Sequence, residues 1–159
     1  MHTSEYSLIQ NPALGAICQW SFAKEFWNQT ARKQASPVAY MMVVLPICFN
    51  REATDAIHSR RLEGGLLNAI ADDRSVVIGL QERMEEMFEQ TFEAMLLGCA
   101  SGLLELNTTD FVVFPKRKTQ PDFAMSPIHT RMLATSRRLG LWFARLPLEQ
   151  ICNYLMIRL

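Results

Sequence analysis

Side chains able to do chemistry are few in this chain, and they do not cluster. His2 lies near the N-terminus, His58 in a polar stretch and His129 at the start of a predicted helix. A Ser/His/Asp or Cys/His site needs nucleophile, base and orienting group within reach of one another. None of the three histidines belongs to a nucleophile motif such as GxSxG. Cys18, Cys48, Cys99 and Cys152 are widely separated and form no CxxC pair, whereas a zinc site draws several ligands at short spacings. Gly64-Gly65 lacks the Lys and Ser/Thr of a phosphate-cradling loop. The expectation is a chain with no catalytic residue, no cofactor and no metal.

The charged groups offer more. Glu82, Glu85, Glu86, Glu89 and Glu93 recur along one predicted helix, a pattern compatible with an acid/base pair or a carboxylate metal site. They fall opposite the apolar stripe of that helix, which predicts a solvated face or an acidic docking surface for a basic partner. Lys116-Arg117-Lys118 follows a predicted β-hairpin, and Arg60-Arg61 and Arg137-Arg138 are further basic pairs. Lys116, Arg117, Lys118, Arg137 and Arg138 are the candidate phosphate contacts. A helical layer followed by a basic hairpin outlines a winged helix. Two features oppose DNA binding: the helix before the hairpin is acidic on its outer face, and the loop Asn107-Thr108-Thr109-Asp110 carries no cation. The chain as a whole has sixteen Lys+Arg against sixteen Asp+Glu, without the basic excess of a domain built to wrap nucleic acid.

The chain has 159 residues, 49% of them hydrophobic and 20% charged. That excludes intrinsic disorder and predicts one domain over residues 1–159, with 1–10 a flexible N-terminus. The apolar run Val38 to Phe49 is shorter than the ~20 residues of a membrane helix, and no signal peptide is expected from Met1-His2-Thr3-Ser4-Glu5-Tyr6. Scattered cysteines in apolar settings fit a reducing, cytoplasmic location.

The elements that must carry these groups are mainly helical. Asn11-Pro12 is a cap-plus-proline start for a helix over 12–32 with apolar residues on a wide arc, including Trp20 and Trp27. Ser36-Pro37 predicts a second helix ending near Pro46. Short helices follow over 50–57 and 62–70, and Asp72-Asp73-Arg74-Ser75 is the next start. Val77, Leu80, Met84, Met87, Phe88, Thr91, Phe92 and Met95 recur at three and four residues, predicting one long helix to about Cys99. Gly102 stops it. Leu103–Leu106 and Phe111–Phe114 predict the hairpin, Ser126-Pro127 opens a last long helix to about Arg145, and Leu148–Leu159 forms an apolar tail. The fold expected is mainly α with one β-hairpin, winged-helix-like in outline. Trp20, Trp27, Leu155 and Met156 are surplus apolar groups and candidate docking residues for a partner or a second copy.

Several segments, in order, resemble a known family: Asn11-Pro12-Ala13-Leu14-Gly15-Ala16 with Trp20 and Phe22, Val44-Leu45-Pro46, Ser59-Arg60-Arg61-Leu62, Gly102-Leu103-Leu104-Glu105-Leu106, and Arg138-Leu139-Gly140-Leu141-Trp142-Phe143-Ala144. Together they resemble the middle component of bacterial three-component ABC systems, from Asn11 to about Leu159. The resemblance implies a non-enzymatic adaptor that links an ABC-type, SMC/Rad50-like ATPase to a variable effector component in conflict with phage or other invading DNA. It brings no catalytic residues, because these motifs are packing motifs. Met41-Met42 is bulkier than the family pattern at that point. The alternative function is a small winged-helix DNA-binding regulator.

Overall fold

The computed structural model describes residues 11–122 and 125–159; the flexible terminus expected over 1–10 lies outside them. The first helix, α1 (Pro12–Gln29), starts as its sequence dictates, with the Asn11 side chain accepting from the Leu14 N–H at 3.1 Å. It stops three residues before the expected end. Ala31 and Arg32 take left-handed backbone (φ 54° and 61°), while the Thr30 hydroxyl donates to the Trp27 carbonyl at 3.0 Å. Every residue from Leu14 to Trp20 is buried, so α1 is the central helix rather than a surface one.

Two expectations fail in the next segment. Ser36–Pro37 does not open a helix; it forms a two-residue strand, β1, and α2 (Val38–Cys48) begins after it. The buried Ser36 hydroxyl donates to the carbonyl of Pro37 rather than accepting from a helical N–H. The Val38 N–H is held by the Phe111 carbonyl at 2.9 Å. Nor does Pro46 end the helix. It lies inside α2, two residues before its end at Cys48, and the ladder bond that a residue there would donate is forgone. Its carbonyl accepts from Arg83 Nε at 3.1 Å.

Asn50 caps α3 (Arg51–Ile57) through the Ala53 N–H at 2.9 Å. The stretch after it divides into a 3-10 turn at Leu62–Gly64 and α4 (Gly65–Asp72), and Asp73 opens a second 3-10 turn at Arg74–Val76. The single long helix expected to Cys99 is two helices, α5 (Leu80–Glu86) and α6 (Phe88–Ala100). Gly79 at φ 70° sets the start of α5, and Met87 at φ −99°, ψ 10° divides the pair. The break lets α5 follow α2 while α6 lies along α1. Arg83 ties α5 to its surroundings with bonds to the carbonyls of Pro46 and Ile78.

The hairpin forms as expected from β2 (Leu104–Asn107) and β3 (Val112–Pro115), paired antiparallel with Leu106 opposite Val113. Its turn is built by the Asn107 side chain, which accepts from the N–H groups of Thr109 and Asp110. β1 joins the other edge of β3, giving the order β1-β3-β2. Pro37 is tolerated on this edge because an outward position needs no donor.

Ser126 caps α7 (Pro127–Ala144), and the His129 ring returns the bond to the Ser126 N–H as a reciprocal capping box. A last helix, α8 (Leu148–Leu155), ends at Met156 in left-handed conformation, φ 57°. α1 and α7 run parallel in close contact: the Ser136 hydroxyl donates to the Cys18 carbonyl, and Gly140 abuts Phe22 one turn on. Phe22, Phe26, Tyr40 and Phe143 meet edge to face or stacked at centroid distances of 5.6–6.1 Å around this seam. The mainly helical fold with one hairpin is thus present, with β1 as an addition.

Candidate functional site

Titratable groups converge nowhere in the described residues: no three His, Cys, Asp or Glu side chains are grouped as a metal site would group them. The cavity between α1, α2 and α6, about 270 Å³, is bordered by Asn11, Gly15, Leu45, Phe49, Gln90 and Glu93, with Glu93 its one ionisable group. Cys18 and Cys48 are buried together. The bond to Cys48 raises the Cys18 thiol well above its ordinary range, with burial and the neighbouring sulfur adding to it. A thiol so placed is inert.

The four expected docking residues separate into two places and two exposures. Trp20 is 3% exposed, and its indole N–H donates to the Arg117 carbonyl at 2.9 Å. Trp27 is half-buried, edge-on to Phe114 at 5.4 Å. Both therefore hold the hairpin and its connector onto α1. Leu155 is fully buried where α8 meets α4, whereas Met156 is 66% exposed. Trp20 and Leu155 offer no surface to a partner, because the fold uses them in its own core. Met156 and the outer part of Trp27 do.

The five candidate phosphate contacts also divide. Lys116 and Lys118 are exposed on the connector after β3, and Arg117 beside them donates from Nε to the Thr119 carbonyl at 2.9 Å. On α7, Arg137 lies 3.5 Å from the Glu25 carboxylate. Arg138 donates to the carbonyls of Arg60 at 2.6 Å and Ala134 at 3.0 Å. Burial, then the charge of Arg137, lowers the pKa of Arg138. Arg138 thus fastens α7 to the loop after α3. Sequence reasoning missed Lys24, whose ammonium lies 5.0 Å over the Trp20 ring. Its i,i+4 spacing from Trp20 was the available signal.

Part of the row that the periodicity turns inward lies on the flank of the buried face of α6, which is Thr91, Ala94, Met95 and Gly98. Met84, Met87, Thr91 and Met95 are buried as expected, but Phe88 is 54% exposed and Phe92 half-buried, and Leu96, outside the expected row, is 58% exposed. The Phe88 and Phe92 rings meet edge to face at 5.0 Å. The glutamates are not opposite this apolar row; Glu89 and Glu93 form the adjacent exposed row of α6. Ion pairs among the described residues join Arg51 to Asp55, Arg60 to Asp72 and Arg137 to Glu25, and none uses a glutamate of α6.

The segments that carried the resemblance are turns and packing surfaces. Asn11-Pro12 caps α1, Ser59 to Leu62 joins α3 to the first 3-10 turn, Gly102 at φ 82° turns α6 into β2, and Gly140 admits Phe22. The family described as ABC-three component (ABC-3C) system Middle Component 3 matches the chain over residues 1–159. The chain belongs to this family. No curated protein and no solved structure matches it. A Middle Component 3 protein is one part of a multi-component ABC system, so its partners include other components of that system. Among the described residues of this middle component, no helix is long and apolar enough to cross a membrane.

Proposed function

We propose that this middle component is a non-catalytic adaptor that joins an SMC/Rad50-like ABC ATPase to the effector component of the same system, acting in the cytoplasm against phage or other invading DNA. Family membership across the whole chain carries this reading. Exposed large apolar side chains beside a filled core support it, since isolated soluble proteins seldom expose such side chains in contiguous rows. The test is co-expression with the genes of its own system and purification through a tag on this chain. Stoichiometric recovery of ATPase and effector is the expected result. A chain that stays monomeric at high concentration and recovers neither component overturns the reading.

A second reading, direct contact with nucleic acid, is favoured by one observation: the Trp20 indole lies under Lys24 and bonds to the backbone of the connector that carries the exposed Lys116, Arg117 and Lys118. Binding through such a patch weakens steeply with salt. A gel-shift or polarisation titration with duplex and single-stranded DNA separates the two readings.

A further inference from the structure

We infer that the outer face of α6, with Phe88, Phe92 and Leu96 as its ridge and Glu89 and Glu93 alongside, docks a basic amphipathic helix of a partner protein. The inference rests on the adaptor reading and names where and by what chemistry one partner is held.

Three large apolar side chains at i, i+4 and i+8 form a ridge on one helix. It spans about 12 Å at ~1.5 Å per residue. Ridges of this spacing pack into the groove between side-chain rows of a second helix. The edge-to-face pair of Phe88 and Phe92 orders two of the three groups before any partner arrives, which lowers the entropy lost on docking. A ridge on a helix is matched by the grooves between the side-chain rows of another helix, so a helix suits it better than an extended peptide.

Charge decides what kind of helix. Glu89 and Glu93 are exposed beside the ridge, and Glu82, Glu85 and Glu86 extend the acidic surface along α5. The cation nearest in sequence, Arg83, bonds to the carbonyls of Pro46 and Ile78 and sets its charge against Glu52 and Glu86, and no ion pair among the described residues joins Glu82, Glu85, Glu89 or Glu93. The field over this face is therefore negative, and it calls for Lys or Arg flanking an apolar stripe. A second copy is disfavoured, because a two-fold contact would set the same glutamate rows against each other. DNA and anionic lipid are repelled by the same carboxylates.

The experiment uses the complex recovered from co-expression of this chain with the other components of its system. A zero-length carbodiimide joins a carboxylate to an ammonium only where the two touch. Peptide mapping should find Glu89 or Glu93 coupled to a lysine within a helix of another component. Phe88→Ser, Leu96→Ser and the double reversal Glu89→Lys/Glu93→Lys should each lower partner recovery by about tenfold or more. The melting temperature of the isolated chain should stay close to wild type. All three variants change exposed positions, and the charge reversal leaves the apolar row intact should a serine variant misfold. Recovery within about twofold of wild type for all three overturns the inference while leaving the adaptor reading in place. Coupling of Glu89 or Glu93 to a second copy of this chain overturns the basic-partner assignment. Failure of wild type to recover any component removes both.

Discussion

Gly140 on α7 faces the carbonyl of Phe22 on α1 so closely that a Cβ at residue 140 would lie 2.5 Å from that oxygen and 3.1 Å from Glu25 Cβ. The obstacle is backbone, which cannot rotate aside, so Gly140→Ala must push the two helices apart. That would loosen the Phe22–Phe143 ring contact and the Ser136 bond to the Cys18 carbonyl. A loss of about 1–3 kcal/mol in urea unfolding is expected. Gly64, with nothing within 4 Å of an added Cβ and ordinary backbone at φ −66°, is the control. Gly64→Ala should be neutral or stabilising by up to ~1 kcal/mol. Equal effects at the two sites would contradict the parallel close packing of α1 and α7.

Much of the architecture was legible because its signals are local. Asn11, Asn50 and Ser126 each bond an N–H three residues ahead, so their helices begin where the residue types say. The hairpin turn is closed by Asn107 alone. What was not legible depends on distant neighbours. Ser36-Pro37 has the cap-plus-proline signature, but β3 offers it a strand partner 77 residues away in sequence, as Ser36 faces Val113. Pro46 does not end α2, which runs on to Cys48. The hydrophobic period continues through Met87, so no sequence signal marks the break between α5 and α6. Trp20 and Leu155 were read as surplus because composition shows how much apolar surface exists, not how much of it the fold itself covers.

Alkaline pH should destabilise the fold. Cys18 is raised by its bond to Cys48 and by burial, and Tyr40 by burial and then the nearby Cys152. Unfolded, these groups ionise in their ordinary ranges, near ~8.5 for a thiol and ~10 for a phenol. Both folded values are higher, so the unfolded chain loses protons first and stability falls as pH rises through that window. Urea midpoints at pH 7, 9 and 10 should decline in that order. Cys18→Ala and Tyr40→Phe should each flatten the trend. A midpoint unchanged between pH 7 and 10 would refute the assignment.

Phe111 occupies left-handed backbone at φ 53° with its ring 65% exposed. A bulky residue there costs on the order of 1 kcal/mol, and little burial offsets it. Asparagine adopts this conformation readily. Phe111→Asn should therefore keep or raise the melting temperature, leaving the Val38 bond to the residue-111 carbonyl intact. A drop of several degrees would mean that the ring supports the hairpin. If the same variant weakened recovery of a system component without loss of stability, the hairpin end would also belong to the docking surface.

The basic residues should separate into two classes by what their replacement disturbs. Arg138 is bonded to the Arg60 and Ala134 carbonyls and half-buried, so Arg138→Ala takes the bond from the Arg60 carbonyl and should cost about 1–3 kcal/mol of stability. Lys116 and Lys118 are exposed. Lys116→Glu/Lys118→Glu should leave urea unfolding within ~0.5 kcal/mol of wild type. If the connector touches nucleic acid, that double variant should abolish DNA binding, and the slope of log affinity against log salt for wild type should reveal a few phosphate contacts. If the chain serves only as an adaptor, wild type shows no salt-dependent DNA binding and the double variant recovers its protein partners unchanged. The direction of effect at Arg138 is the same under both readings, which makes it the reference against which Lys116 and Lys118 are judged.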